Sequence, residues 1–186
     1  EFIRDGGIVA LPTDSCYALG CHLGDKEAMD RIRMIRQIDE RHHLTLMVRD
    51  LSEIAHFARV DNAQYRLLRA TTPGSYTFIL EGTKELPRRV MHPRRKTIGL
   101  RVPDHPVALA MLQELNEPLL TTTLQLPGDE APLTEGWEIQ DRLDDQIELI
   151  LDAGQCGIEP TTVIDLTGRA PELIRAGRGS LAPFGL

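Results

Sequence analysis

The string Pro12-Thr13-Asp14-Ser15 closes a short apolar run, and Cys16-Tyr17-Ala18-Leu19-Gly20 returns at once to apolar residues. Two hydroxyls and a carboxylate at a strand end can bind the ammonium and carboxylate of an amino acid without moving. Asp and Ser are also ordinary turn residues, so a simple turn explains the same string. Arg101 lies in Gly99-Leu100-Arg101-Val102-Pro103, a stretch fit for burial, where an unpaired guanidinium is costly. Its alternate neighbours Gly99 and Pro103 leave one strand face bare, as a ligand-facing strand would; a structural salt bridge accounts for the arginine equally well. Thr121-Thr122-Thr123-Leu124-Gln125 offers hydroxyls and an amide to a phosphate or base, although threonine also simply favours strands. Pro160-Thr161-Thr162, Asp165 and then Ile174-Arg175-Ala176-Gly177 repeat the pattern of hydroxyl, acid and arginine at strand ends.

Further cations gather at Arg31, Arg33, Arg36 and Arg41, and again at Arg88, Arg89, Arg94, Arg95 and Lys96, while acids concentrate between Asp129 and Asp152. The formal net charge of −7 speaks against a general nucleic-acid binder, but the distribution of charge matters more than its sum. Solvated helix faces explain either cluster alone; two clusters on one face would make a surface for a polyanion. Other chemistries are excluded by spacing. Adjacent His42 and His43 cannot share a helical face as HExxH histidines do, so no metal site is expected. GxSxG, GxxxxGK[ST] and GxGxxG strings are all missing. Cys16, Cys21 and Cys156 form an odd set without CxxC spacing, which fits neither a disulfide framework nor zinc and points to a reducing cytoplasm.

The elements that must position these residues follow from apolar periodicity. A hydrophobic fraction of 41% over 186 residues predicts one domain, 1–186, and 4% aromatics make its core aliphatic. Strands are predicted over 8–11, 44–48, 76–80, 97–102, 119–123, 147–151, 161–166 and 172–175. Helices are predicted from an Asp25 cap to Ile38, over 61–70, and from an Asp104 cap to Asn116, with a surface loop over 127–135. Their irregular alternation implies a mixed α/β sheet with packed helices. No apolar run reaches 18 residues, so no membrane span is expected. The chain opens on Glu1 close to its first strand, with no signal-peptide pattern, and N-terminal residues of the full protein are expected to be missing.

Taken in order, the strings Pro12–Ser15 with Tyr17–Gly20, then 73–80, 95–103 and 160–167, resemble the YrdC/YciO family over nearly the whole chain. Ser15, the Ala18-Leu19-Gly20 run, the arginines from Arg88 to Lys96 and Leu126-Pro127-Gly128 look most like its YciO branch. The resemblance implies a YrdC-like fold: a twisted open mixed sheet with flanking helices and a concave basic surface. It also implies an L-threonylcarbamoyladenylate synthase-like nucleotidyltransferase, using ATP, L-threonine and bicarbonate, with Mg2+ accompanying ATP and no protein-bound metal cluster. The product of such enzymes feeds the threonylcarbamoyladenosine modification of tRNA. Carried over by motif, Thr13, Ser15, Arg101 and Thr161 would hold threonine. Arg36, Thr97, Thr121, Thr123, Gln125 and Arg175 would face the nucleotide, since planar guanidinium forks suit carboxylate and phosphate.

Two departures bear on activity. Where the synthases carry KxR, this chain has Arg36 and Ile38; where they carry SxN, it has Thr123 and Gln125. Weak or altered adenylation is therefore expected. The alternative is a non-catalytic protein that binds double-stranded RNA, tRNA or the ribosome through Arg31, Arg33, Arg88, Arg89, Arg94, Arg95 and Lys96. A hydrolase or sensor for a related acyl-nucleotide is a third reading.

Overall fold

The structure is a computed structural model describing residues 1–186. Nine strands form one open mixed sheet: β1 (Val9–Leu11), β2 (Ala18–His22), β3 (Thr45–Met47), β4 (Tyr76–Glu81), β5 (Thr97–Arg101), β6 (Leu119–Thr123), β7 (Leu149–Ile150), β8 (Thr162–Asp165) and β9 (Glu172–Arg175). Their spatial order is β7-β1-β2-β6-β3-β5-β4-β8-β9. The pairs β1/β7, β3/β5 and β4/β8 are parallel and the remaining five antiparallel. Five α-helices accompany them: α1 (Lys26–Arg36), α2 (Leu51–Phe57), α3 (Asn62–Thr71), α4 (Pro106–Leu115) and α5 (Gly136–Leu143).

Successive strand residues point to opposite faces, and the two faces carry different loads. Ile8, Ala10, Leu19, Cys21, Leu46 and Leu120 join the larger core beneath α1, α2, α3 and α5. Val9, Leu11, Ala18, Met47 and Leu119 join a smaller core capped by α4 through Ala108, Leu112 and Leu115. With apolar residues on both faces, a slip by one residue would exchange the two cores, so the register of the inner strands rests on side-chain size and shape.

The mixed sheet matches the sequence expectation, and several boundaries are corrected. Helix α1 begins where Asp25 accepts from the Ala28 N–H at 2.9 Å. It stops at Arg36 rather than Ile38, because left-handed Gln37 turns the chain and the next two N–H groups close on Met34 O and Arg33 O. The cap of α4 is His105, whose Nδ1 accepts from Val107 N; Asp104 instead donates its N–H to Asp14 Oδ2 at 3.1 Å. With Pro106 as the first helical residue, the cap falls at 105 and Asp104 stands one place too early. Strand β2 and helices α2 and α5 were not foreseen, and the edge strand β7 has only two residues.

The chain after β9 returns to support β8. A Cβ on Gly177 would lie 2.3 Å from Pro160 O and 2.5 Å from Thr161 O, so only glycine allows this backbone approach. Gly177→Ala is expected to destabilise the protein by about 1–3 kcal/mol through forced displacement of 160–161. Urea unfolding would read this as a lower midpoint at unchanged slope.

Candidate functional site

A cleft of about 790 Å3 opens along the sheet, with walls drawn from β2, β4, β5, β6, β8 and β9 and from the segments around 41–45, 92–95, 130–132 and 158–161. Its lining includes Arg36, Arg41, Arg95, Arg101 and Arg175, together with His42, His43 and His92; the carboxylates among the lining residues are Glu130 and Asp165. Within a chain of net charge −7, this concavity is locally cationic. Hydroxyl side chains recur in its lining, among them Ser15, Thr45, Thr77, Thr97, Thr121, Thr122, Thr123 and Thr161. Gly99 belongs to the same surface, and a Cβ there would press within 2.9 Å of the Thr77 methyl.

Arg101 anchors one end. Strand β5 delivers it into a buried position, where one terminal nitrogen bonds Asp14 and the other donates to Ser15 Oγ at 3.3 Å. Its Nε is buried with no protein partner. Burial pulls the guanidinium below its ordinary pKa and the Asp14 carboxylate opposes that shift, so the ion pair is what keeps the charge tolerable. The salt bridge expected from sequence is present, in a residue that also lines the cleft.

The 12–16 turn is held from inside. Thr13 Oγ1 donates to Cys16 O at 2.6 Å and accepts from the N–H groups of Ser15 and Cys16. Thr13 is buried and is not part of the cleft wall, so its hydroxyl shapes the turn that presents Ser15. Tyr17, not singled out from sequence, tethers the far loop: its hydroxyl donates to Gly154 O at 2.6 Å and accepts from Ala153 N at 3.2 Å. Burial pushes this phenol up to about 12, which suits a structural donor.

At the opposite side, the Arg175 guanidinium grips Thr161, with Nε and one terminal nitrogen on Thr161 O at 3.1 and 2.9 Å and a third bond to Thr161 Oγ1. Thr161 Oγ1 also lies 2.8 Å from Thr77 Oγ1. Arg36 reaches in from the end of α1, donating from Nε to Gln125 O at 3.0 Å and from a terminal nitrogen to Thr122 Oγ1 at 2.5 Å. Partial burial lowers the pKa of Arg36 and of Arg175. Thr121 lines the cleft while its hydroxyl donates to Thr45 O.

The two positions that depart from the synthase pattern, Gln125 and Ile38, are both engaged by the protein itself. The Gln125 amide nitrogen donates to Asp129 O at 2.9 Å, bracing the following loop. Ile38 is half-buried against the larger core. Of the two basic clusters, Arg36, Arg41 and Arg95 line the cleft, and Arg88, Arg89, Arg94 and Lys96 stand exposed beyond it. Arg33 donates to His42 O at 3.3 Å. Arg31 does not join them: it pairs with Glu148 at 2.8 Å and donates to Gln146 O, on the side of α1 toward β7. Two residues of separation turn Arg31 and Arg33 roughly 200° apart around the helix, so one face cannot present both.

Fold and cleft together define an open-sheet α/β protein with a cationic, hydroxyl-lined ligand cleft. A family model for Sua5, YciO and YrdC, described as telomere recombination, matches residues 1–177. The chain belongs to the Sua5/YciO/YrdC family. It is 53% identical over 184 residues to the YciO protein of Escherichia coli strain K12, covering 99% of this chain and 89% of that one. The crystal structure of E. coli YciO superposes with a TM-score of 0.93 at 52% identity, over 98% of this chain and 89% of that chain. More distantly, Sua5 of Pyrococcus abyssi complexed with L-threonine has a TM-score of 0.86 at 27% identity, over 95% of this chain and 52% of that one. The threonylcarbamoyl-AMP synthase of Vibrio vulnificus strain YJ016 is 29% identical over 181 residues, covering 94% of both chains.

Asp14→Ala would leave the Arg101 charge buried without its counterion. A loss of about 3–5 kcal/mol in unfolding free energy is expected, measured by chemical denaturation. Leaving stability unchanged would mean that Arg101 does not depend on Asp14.

Proposed function

We propose that the cleft binds ATP and L-threonine, and that the protein is a threonylcarbamoyl-AMP synthase-like nucleotidyltransferase of weak or altered activity. One observation carries the proposal: the Arg101–Asp14–Ser15 group and the Arg175–Thr161 group share a single cleft floored with hydroxyls. The similarity to a Sua5 complexed with L-threonine supports threonine as the amino acid. In this reading Ser15 and Arg101 receive threonine, the guanidinium supplying the positive charge that opposes a carboxylate. Arg36, Thr97, Thr123 and Arg175 face the nucleotide.

The chemistry asks little covalent work of the chain. The threonine amine adds to the carbon of bicarbonate with loss of water, giving a carbamate. A carbamate oxygen then attacks the α-phosphorus of ATP, and pyrophosphate leaves with the bond electrons. The protein's residues orient the two partners and oppose the negative charge that accumulates. No cluster of three or more acid, histidine or cysteine ligands suited to a metal is present. Mg2+ therefore fits this cleft as part of the nucleotide, held by phosphate oxygens. Reduced activity follows from Ile38 and Gln125, one packed on the core and the other tied to the loop. No helix is long and apolar enough to cross a membrane, and a cytoplasmic setting belongs to the same proposal.

Removing a charged hydrogen-bond donor costs about 1.5–3 kcal/mol. Arg175→Ala should weaken ATP binding by that amount in calorimetric titration, with pyrophosphate release in the presence of threonine and bicarbonate falling in parallel. Equal affinity in parent and variant would remove Arg175 from the nucleotide site.

A second reading, binding of double-stranded RNA or tRNA, is favoured by Arg88, Arg89, Arg94, Arg95 and Lys96, which are exposed and make no ion pair. Such binding would rest on phosphate contacts and shape. Its logarithm should fall with that of salt by about 0.7–0.9 per phosphate contacted, and Arg33→Glu with Arg95→Glu should lower affinity for all sequences alike. Absence of RNA binding at low salt would end this reading.

A further inference from the structure

The wall of the cleft formed by residues 41–43 and 92–95 carries histidines to which the proposed function gives no role. His42, His43 and His92 line it with Arg36, Arg41 and Arg95. The rings of His43 and His92 are 5.4 Å apart and tilted by 45°. His92 Nδ1 accepts the N–H groups of Arg94 at 3.2 Å and Arg95 at 3.0 Å, which puts the ring hydrogen of the neutral form on Nε2. The imidazoles of His42 and His43 hydrogen-bond to no other residue. Arg33, Arg36, His43 and Asp39 surround His42, and Arg33 and His92 surround His43. Asp39 is turned to Arg41, accepting its main-chain N–H at 2.9 Å. Glu130 and Asp165 are the carboxylates that line the cleft.

We propose that this wall is a proton-linked subsite for a polyphosphate chain, in which His42 and His43 take up protons as phosphate oxygens bind. The cleft would then hold tri- and diphosphates more tightly as pH falls and discriminate them from monophosphates. This inference rests on the nucleotide reading of the same cleft only for the identity of the natural ligand. The physical case is crowding of cations. Arginines and imidazoles converge on one wall from two chain segments, and a ligand with several negative charges relieves their mutual repulsion where one phosphate reaches too few of them.

The sign of the linkage follows from the groups themselves. Partial burial first, then neighbouring cations, lowers the pKa of both His42 and His43 below the ordinary imidazole value. A bound anion favours the charged ring and raises those values. Protons are taken up on binding between the lower free value and the higher bound one. Affinity therefore grows as pH falls through that window and levels off below it.

Inorganic tripolyphosphate is the probe, titrated calorimetrically into the full chain at about pH 8 and about pH 6, either side of the ordinary imidazole value. Its own protonation is common to parent and variant, so the ratio between proteins isolates the histidines. On this drop in pH, parent affinity is expected to gain about three- to tenfold relative to a His42→Gln, His43→Gln double variant, one proton being worth at most tenfold per pH unit. An identical pH profile in the two proteins would overturn the proposal. Imidazole proton NMR on the parent gives a second measurement independent of any substitution. Tripolyphosphate should move the titration midpoints of His42 and His43 upward, and unmoved midpoints also overturn the proposal. ATP and AMP complete the set. If tripolyphosphate shows the histidine dependence while neither nucleotide binds, the nucleotide reading fails and the subsite stands. If ATP binds with the same profile in parent and double variant, the subsite fails and the nucleotide reading stands.

Discussion

A buried guanidinium needs a carboxylate, and in this protein that requirement joins two segments separated by more than 80 residues. Arg101, at the end of β5, draws Asp14 and Ser15 down onto the sheet. Asp14 uses its other oxygen on Asp104 N, at the entry to α4. One carboxylate thus fixes the turn after β1, the last residue of β5 and the approach to the helix that caps the smaller core. The place of Arg101 at the cleft depends on this arrangement, since the two bonded terminal nitrogens hold the plane of the fork.

Around that fixed point, polar groups stand on strands whose other residues are buried on both sides. β6 shows how this is reconciled: Leu119 and Leu120 go to opposite cores, and the three threonines that follow line the cleft. Threonine satisfies the strand with its branched carbon and the cleft with its hydroxyl. Loops then close the polar surface from outside. Tyr17 pins 153–154, Gln125 braces 129, and Arg175 grips 161. Each tether is one polar side chain bonded to main-chain groups of the loop it holds.

Much of this was legible from residues alone. A small polar string returning at once to apolar residues marked the 12–16 turn, and an arginine in a strand fit for burial marked Arg101. What stayed hidden was direction. Thr13 and Ser15 carry the same functional group two residues apart, yet one hydroxyl closes its own turn and the other lines the cleft. Gln125 has the length to reach the Asp129 carbonyl, and a sequence pattern does not tell which of two acceptors wins. Arg31 follows the helical period away from Arg33 and finds Glu148, a partner 117 positions along the chain. Helix α5 has no side-chain cap bond at its start, and α2, though capped by Asp50 as α1 is by Asp25, is only seven residues long, too short for a helical apolar period to show. The fold class was readable because it depends on apolar period; the site was readable only where one residue type had a single physical solution.

The cationic cleft within a chain of net charge −7 has a consequence for how ligands arrive. Within about a Debye length of its surface, about 8 Å at physiological ionic strength, most of the molecule is net anionic and repels another anion. At closer range the field reverses over one concavity. An approaching anion therefore meets a barrier over most orientations and a funnel over one, and a collision on the wrong side is not retained. The molecule behaves as a dipole that selects the angle of encounter before any hydrogen bond is made. Raising the salt concentration flattens both the barrier and the funnel, so the selection of approach angle fades along with the attraction in the cleft.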